Sequence, residues 1–97
     1  MKLVLAFDYD VDIIECPYFI VEDLKKYQLM FDKWLYDKTN NHNYWFYKNG
    51  EKYGVCYRSD AFVEWLNTII LKTSTEKAVI LVAHTNNYDK NLPLLNL

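Results

Sequence analysis

The sequence predicts an α+β fold of the ferredoxin-like β-α-β-β-α-β kind, a four-stranded antiparallel sheet with two helices on one face. Three observations predict it. Short apolar runs lie near the two ends of the chain, at Lys2–Phe7 and Ala78–Ala83. Two segments between them carry apolar residues at helical spacing. Between those segments, Asn49-Gly50 marks a hairpin spanning Tyr44–Arg58. Residues 1–97 are expected to form a single compact domain, with 88–97 an apolar C-terminal tail.

In Lys2–Phe7, Leu3, Leu5 and Phe7 share one face and Val4 and Ala6 the other, so both faces are apolar, as in a central strand. Asp8-Tyr9-Asp10-Val11-Asp12 breaks the run. Val11, Ile13 and Ile14 are expected either to extend the strand past a bulge or to lie as a loop over the core. Pro17 suits the first turn of a helix. Val21, Leu24, Tyr27, Phe31, Trp34 and Leu35 form its apolar stripe, Glu22 and Lys26 make an i,i+4 pair, and Thr39–Asn43 ends it. Strand Tyr44–Tyr47 is aromatic on both faces. In the returning strand Tyr53, Val55 and Tyr57 face one way, Gly54 and Cys56 the other. The slim face is expected to accept a helix, and the Tyr-Val-Tyr face to stay open to solvent or a partner. Ser59 is a good N-cap for the second helix, whose stripe is Phe62, Trp65, Leu66, Ile69 and Ile70. In the strand order 4-1-3-2, Ala78–Ala83 lies at an edge, where a long apolar strand is a pairing hazard. The tail Leu92–Leu97 is the candidate cover, folding back on its own sheet or docking on another chain.

A hydrophobic content of 52% with 25% charged residues is that of a folded protein, and disfavours disorder. An aromatic content of 18%, with nine tyrosines, requires some rings near the surface. A net charge of −2 supplies no basic field and disfavours a nucleic-acid partner. No run approaches the roughly 20 apolar residues of a membrane span. Asp8, Tyr9 and Asp10 interrupt the first apolar run before a signal-peptide core is complete, so a cytoplasmic location is expected. Cys16 and Cys56 are too few for a disulfide scaffold and are read as reduced thiols, Cys16 as a small buried hydrophobe. The abundance of Asn, Tyr, Lys and Ile points to a low-GC bacterial or phage genome.

The sharpest chemical feature is Asp8, Asp10 and Asp12, alternating carboxylates that are candidate ligands for a divalent metal such as Mg²⁺ or Ca²⁺. An apolar strand running into D-x-D over Leu3–Asp10 resembles the start of the phosphoryl-transfer site of haloacid-dehalogenase-like enzymes. The chain is too short for their doubly wound domain, and no Gly-rich phosphate loop follows. Ile13 stands where an EF-hand loop needs Gly. The plainer reading is a charged loop beside Lys48, Lys52 and Lys77, at the pole opposite His42, His84, Arg58 and Ser59. Chain size, strand order and Phe7-Asp8 are similar to the ferredoxin-like CRISPR-associated nucleases, a resemblance that implies an Mg-dependent phosphodiesterase with Asp8 as its acid. The aromatic strands resemble the RNA-recognition motif, although the third strand lacks that family's K/R-G-F/Y-G/A-F pattern.

The expectation drawn from these readings is a small non-enzymatic protein-binding domain without a cofactor, of the kind by which phage proteins inhibit host proteins. Its partner is another protein or a second copy. Trp45, Tyr47, Tyr53, Tyr57, Leu94 and Leu95 are the candidate contact residues. The alternatives are the Asp-centred phosphodiesterase and, third, an RNA-binding module.

Overall fold

The chain starts with a hairpin: β1 (Lys2–Ala6) and β2 (Val11–Glu15) pair antiparallel, Leu3 opposite Ile14 and Leu5 opposite Asp12. Asp8 and Tyr9 form its tip, closed by Phe7 N–H donating to the Asp10 carbonyl at 3.0 Å. Val11–Ile14 is therefore a strand in its own right, rather than a bulged extension or a loop. The computed structural model describes all 97 residues.

Two helices follow, α1 (Tyr18–Glu22) and α2 (Leu24–Tyr36), where the periodicity predicts one. Asp23 separates them, with φ −140° and ψ 50°. The second hairpin joins β3 (Trp45–Lys48) to β4 (Glu51–Val55) through Asn49 and Gly50 at φ 54° and 78°. Two consecutive positive φ angles make a type I′ turn, the reason that Asn-Gly marks hairpins. Helix α3 (Ser59–Trp65) runs into a π-helical turn, Leu66–Ile70, in which Leu71 N–H reaches back to the Leu66 carbonyl. Strands β5 (Val79–Thr85) and β6 (Leu94–Asn96) complete the chain.

The fold is α+β, with six strands in two sheets, but the ferredoxin-like order is not the one observed. The larger sheet runs β5-β2-β1-β6, and β3-β4 stands apart as a two-stranded sheet. Val4, Leu5 and Ala6 pair in parallel with Leu94, Leu95 and Asn96, a pairing an all-antiparallel layer does not contain. The physical reason is local. The Asp8-Tyr9 tip returns the chain beside β1, so β2 occupies the position expected of the later hairpin.

One face of the larger sheet carries the main core. Leu3, Leu5, Ile14, Cys16 and Leu95 meet Ile20 of α1, Tyr27, Phe31 and Leu35 of α2, and Phe62 and Trp65 of α3. Phe31 is the hub, its ring centroid within 5.2–5.8 Å of those of Phe62, Trp65 and Tyr57. Val4, Val11 and Ile13 on the opposite face form a smaller cluster with Ala6, Tyr88 and Leu92 packed against it. The tail thus protects β1, and β5 is left at the bare edge.

The hairpin faces also differ from expectation. Trp45, opposite Val55, is buried, and Val55 and Tyr57 pack on the core, so this face meets the helices. A bulge between Phe46 and Tyr47 leaves Tyr53 without an opposite residue and turns it outward, its ring 5.5 Å from that of Phe46. Gly54 sits under Phe46, whose ring would lie 2.7 Å from an added Cβ. The slim face is covered by a neighbouring aromatic ring, not by a helix.

Candidate functional site

Asp10 and Asp12 flank Val11 at the start of β2, and the strand's alternation turns Asp12 toward the helices. There it is buried. Arg58, at the N-cap of α3, donates from Nη2 to Asp10 Oδ1 and Asp12 Oδ1, each at 2.7 Å. Its guanidinium also lies 4.3 Å from the centre of the Phe7 ring. Ser59 Oγ donates to Asp12 Oδ2 at 2.5 Å. His84 takes φ 55° in an irregular stretch of β5, and its backbone N–H reaches Asp12 Oδ1 at 2.9 Å. Its ring Nδ1 lies 3.2 Å from Asp10 Oδ2.

Burial alone would raise the Asp12 carboxyl, but the donors from Arg58, Ser59 and His84 outweigh it and lower the pKa to about 2. The Arg58 hydrogen bond likewise holds Asp10 below its ordinary value, and the Asp12 hydrogen bond raises Arg58. So weak a base takes no proton from Ser59 near neutral pH, and the Ser59 side chain is out of a substrate's reach at 1% residue exposure. The arrangement is a staple. One buried carboxylate ties β2, β5 and the start of α3 together.

Asp8, by contrast, is exposed at the hairpin tip. No three His, Cys, Asp or Glu side chains converge as metal ligands; Arg58 and Ser59 hold both oxygens of Asp12, and Arg58 and the His84 ring take those of Asp10. His84, Arg58 and Ser59 lie at the acidic pole rather than opposite it. The expected lysines lie elsewhere: Lys52 Nζ donates to the Lys38 and Asn40 carbonyls, and Lys77 Nζ to those of Leu71 and Lys72. Ser59 is the first residue of α3 rather than its cap, and Asp60 Oδ1 accepts from Arg58 and Ala61 N–H. His42 is structural: its ring stacks on Trp45 at 4.9 Å, and its Nε2 is 2.8 Å from the Leu35 carbonyl.

No protein family, curated protein or solved structure matches this chain. Function must be argued from the surface itself.

Of the candidate contact residues, Trp45 and Leu95 are buried and Tyr57 is half-buried in the core, while Tyr47, Tyr53 and Leu94 are exposed. Tyr47 and Tyr53 lie on the small hairpin, and Leu94 at the far edge of the larger sheet, so the three form no single patch with a shared strand. The longest exposed apolar run is in β5. Val79, Ile80, Leu81 and Val82 are each 42–48% exposed, and β2 is its only sheet neighbour. Beside it a cleft of about 380 Å³ opens between Ile80, Ala83 and His84 and the segment from Cys56 to Asp60. Asp12 forms part of the cleft wall. The edge position was expected, but through the order 4-1-3-2, in which this strand neighbours β1 rather than β2. The cleft was not, because it joins β5 to residues 56–60, two segments whose proximity depends on the sheet order.

Proposed function

We propose that this protein acts by binding another protein along the open edge of β5, and not by catalysis. The observation that supports this reading is the run of four consecutive large apolar residues, Val79–Val82, left 42–48% exposed on a strand whose outer backbone groups have no partner. Single exposed apolar side chains are ordinary, but an unbroken apolar run along an unpaired edge strand, exposed on both faces of the sheet, marks an interaction surface. Natural edges are commonly blunted by charge or proline, and Ala78–Ala83 has neither. An added strand would satisfy the backbone groups and cover the side chains. No helix is long and apolar enough to cross a membrane.

Leu81 provides the test. It has no opposite residue on β2, so Leu81→Lys changes the outer edge without disturbing the ladder. The variant is expected to keep its unfolding free energy within about 0.5 kcal/mol of wild type. A partner captured by the wild-type protein from its native host should be lost. Capture that is equal for both proteins would remove β5 from the binding surface.

A further inference from the structure

We infer that the occupant of this edge is an extended segment of a different protein that sends a lysine or arginine side chain into the cleft between β5 and residues 56–60; the inference rests on the binding role just proposed for β5. Strand addition draws its affinity from main-chain pairing and its specificity from pockets that receive alternate side chains. The structure has both parts. Ile80 pairs with Ile14 and shares its helix-side face, and Ile80, Ala83 and His84 form one wall of the cleft. A strand laid along β5 would direct every second side chain to that same face.

Charge decides what that side chain is. Asp12 and Asp60 line the cleft, with Asp10 beside it; Arg58, the one guanidinium there, is already committed to Asp10 and Asp12, and the His84 ring lies against Asp10 rather than Asp60. Asp60 has no cationic partner. Its Oδ1 accepts two backbone N–H groups, and its other oxygen is uncommitted at an exposed position. No lysine lines the cleft. A long aliphatic stem with a cationic head matches these walls, the stem along Ile80 and Tyr57 and the head at Asp60. A glutamate there would meet uncompensated negative charge.

The full-length protein can be titrated with capped peptides as long as β5, seven residues of alternating threonine and valine with one central lysine, and with the glutamate counterpart. Amide chemical shifts of Val79–Thr85 report the edge, and alkylation of the exposed Cys56 thiol reports the cleft that it lines. The lysine peptide is expected to shift those amides and slow Cys56 alkylation, with the glutamate peptide binding more weakly. Asp60→Asn, which keeps a capping oxygen for α3, is expected to weaken the lysine peptide by about two- to fivefold, the range of an exposed ion pair. Equal binding of both peptides overturns the basic anchor and leaves the edge reading standing. β5 shifts that depend on protein concentration without peptide make the occupant a second copy, and overturn the foreign partner alone. Binding that survives backbone N-methylation of the peptide, or no binding by either peptide, overturns the edge reading and this inference with it.

Discussion

At the scale of single residues, Asp12 is the position with the largest predictable effect. Its carboxyl falls from an ordinary 3.8 to about 2 in the folded protein. A depressed folded pKa means that the unfolded chain takes up the proton first as the pH falls. The stabilisation is therefore complete well above 3.8 and is lost as the pH drops toward 2, a contribution of about 2 kcal/mol. Melting temperatures measured down this range should fall, and Asp12→Asn should flatten part of the fall. The same variant is expected to cost about 2–3 kcal/mol near neutral pH, because it leaves Arg58 partly unpaired. A fall of the same depth in both proteins would show that other carboxylates control acid unfolding. The two thiols offer a second check. Burial pushes Cys16 up to about 11, whereas Cys56 is exposed, so iodoacetamide should alkylate Cys56 in the native protein and Cys16 only after unfolding. The staple left a trace in the chain: Asp12 interrupts the apolar set Val11, Ile13, Ile14, and Arg58 is the single arginine among eleven basic residues. A bidentate, partly buried partner favours arginine over lysine, which makes that lone residue informative.

At the scale of elements, two hairpins show why one was legible and the other was not. The β3-β4 turn needs positive φ at two residues, and Asn49-Gly50 advertises that need. Neither Asp8 nor Tyr9 has positive φ, so the β1-β2 turn demands no glycine and reads in sequence as an acidic interruption. Gly50→Ala should therefore destabilise through backbone strain alone, since nothing lies within 4 Å of the added Cβ. A cost of about 1 kcal/mol in chemical denaturation is expected. A neutral result would mean that the turn relaxes to another type. The π-helical turn has a comparable local role. It presents Asn67, whose side chain bonds both backbone groups of Ala78, Nδ2 to the carbonyl at 2.9 Å and Oδ1 from the N–H at 2.7 Å. That pair fixes where β5 begins. No periodic pattern in the sequence signals a clamp of this kind.

At the scale of the whole molecule, the sheet depends on its last residues. Helical stripes and apolar runs were legible because they are periodic within a few turns or residues. The order β5-β2-β1-β6 was not, because β1 finds one neighbour five residues after its own end and the other at the opposite end of the chain. That distant neighbour is held by Val4 N–H to the Pro93 carbonyl at 2.9 Å, Leu97 N–H to the Ala6 carbonyl at 3.1 Å, and buried Leu95. Gln28 Nε2 of α2 adds a bond to the Asn96 carbonyl at 2.7 Å. Leu95→Ala is expected to cost about 2–3 kcal/mol, toward the low end for a buried leucine because β6 is a short edge strand. Removing residues 93–97 should do more than subtract stability, because it takes away the Pro93 acceptor of Val4 N–H and leaves β1 as a second open apolar edge opposite β5. Hydrogen exchange resolves the two effects. In an antiparallel ladder alternate amides face each neighbour, so the Val4 amide, turned toward β6, should lose its protection selectively while Leu3 and Leu5, turned toward β2, keep theirs. A uniform loss across β1 would mean that β6 is needed for the sheet to form at all, and that the tail closes the fold instead of merely covering its edge.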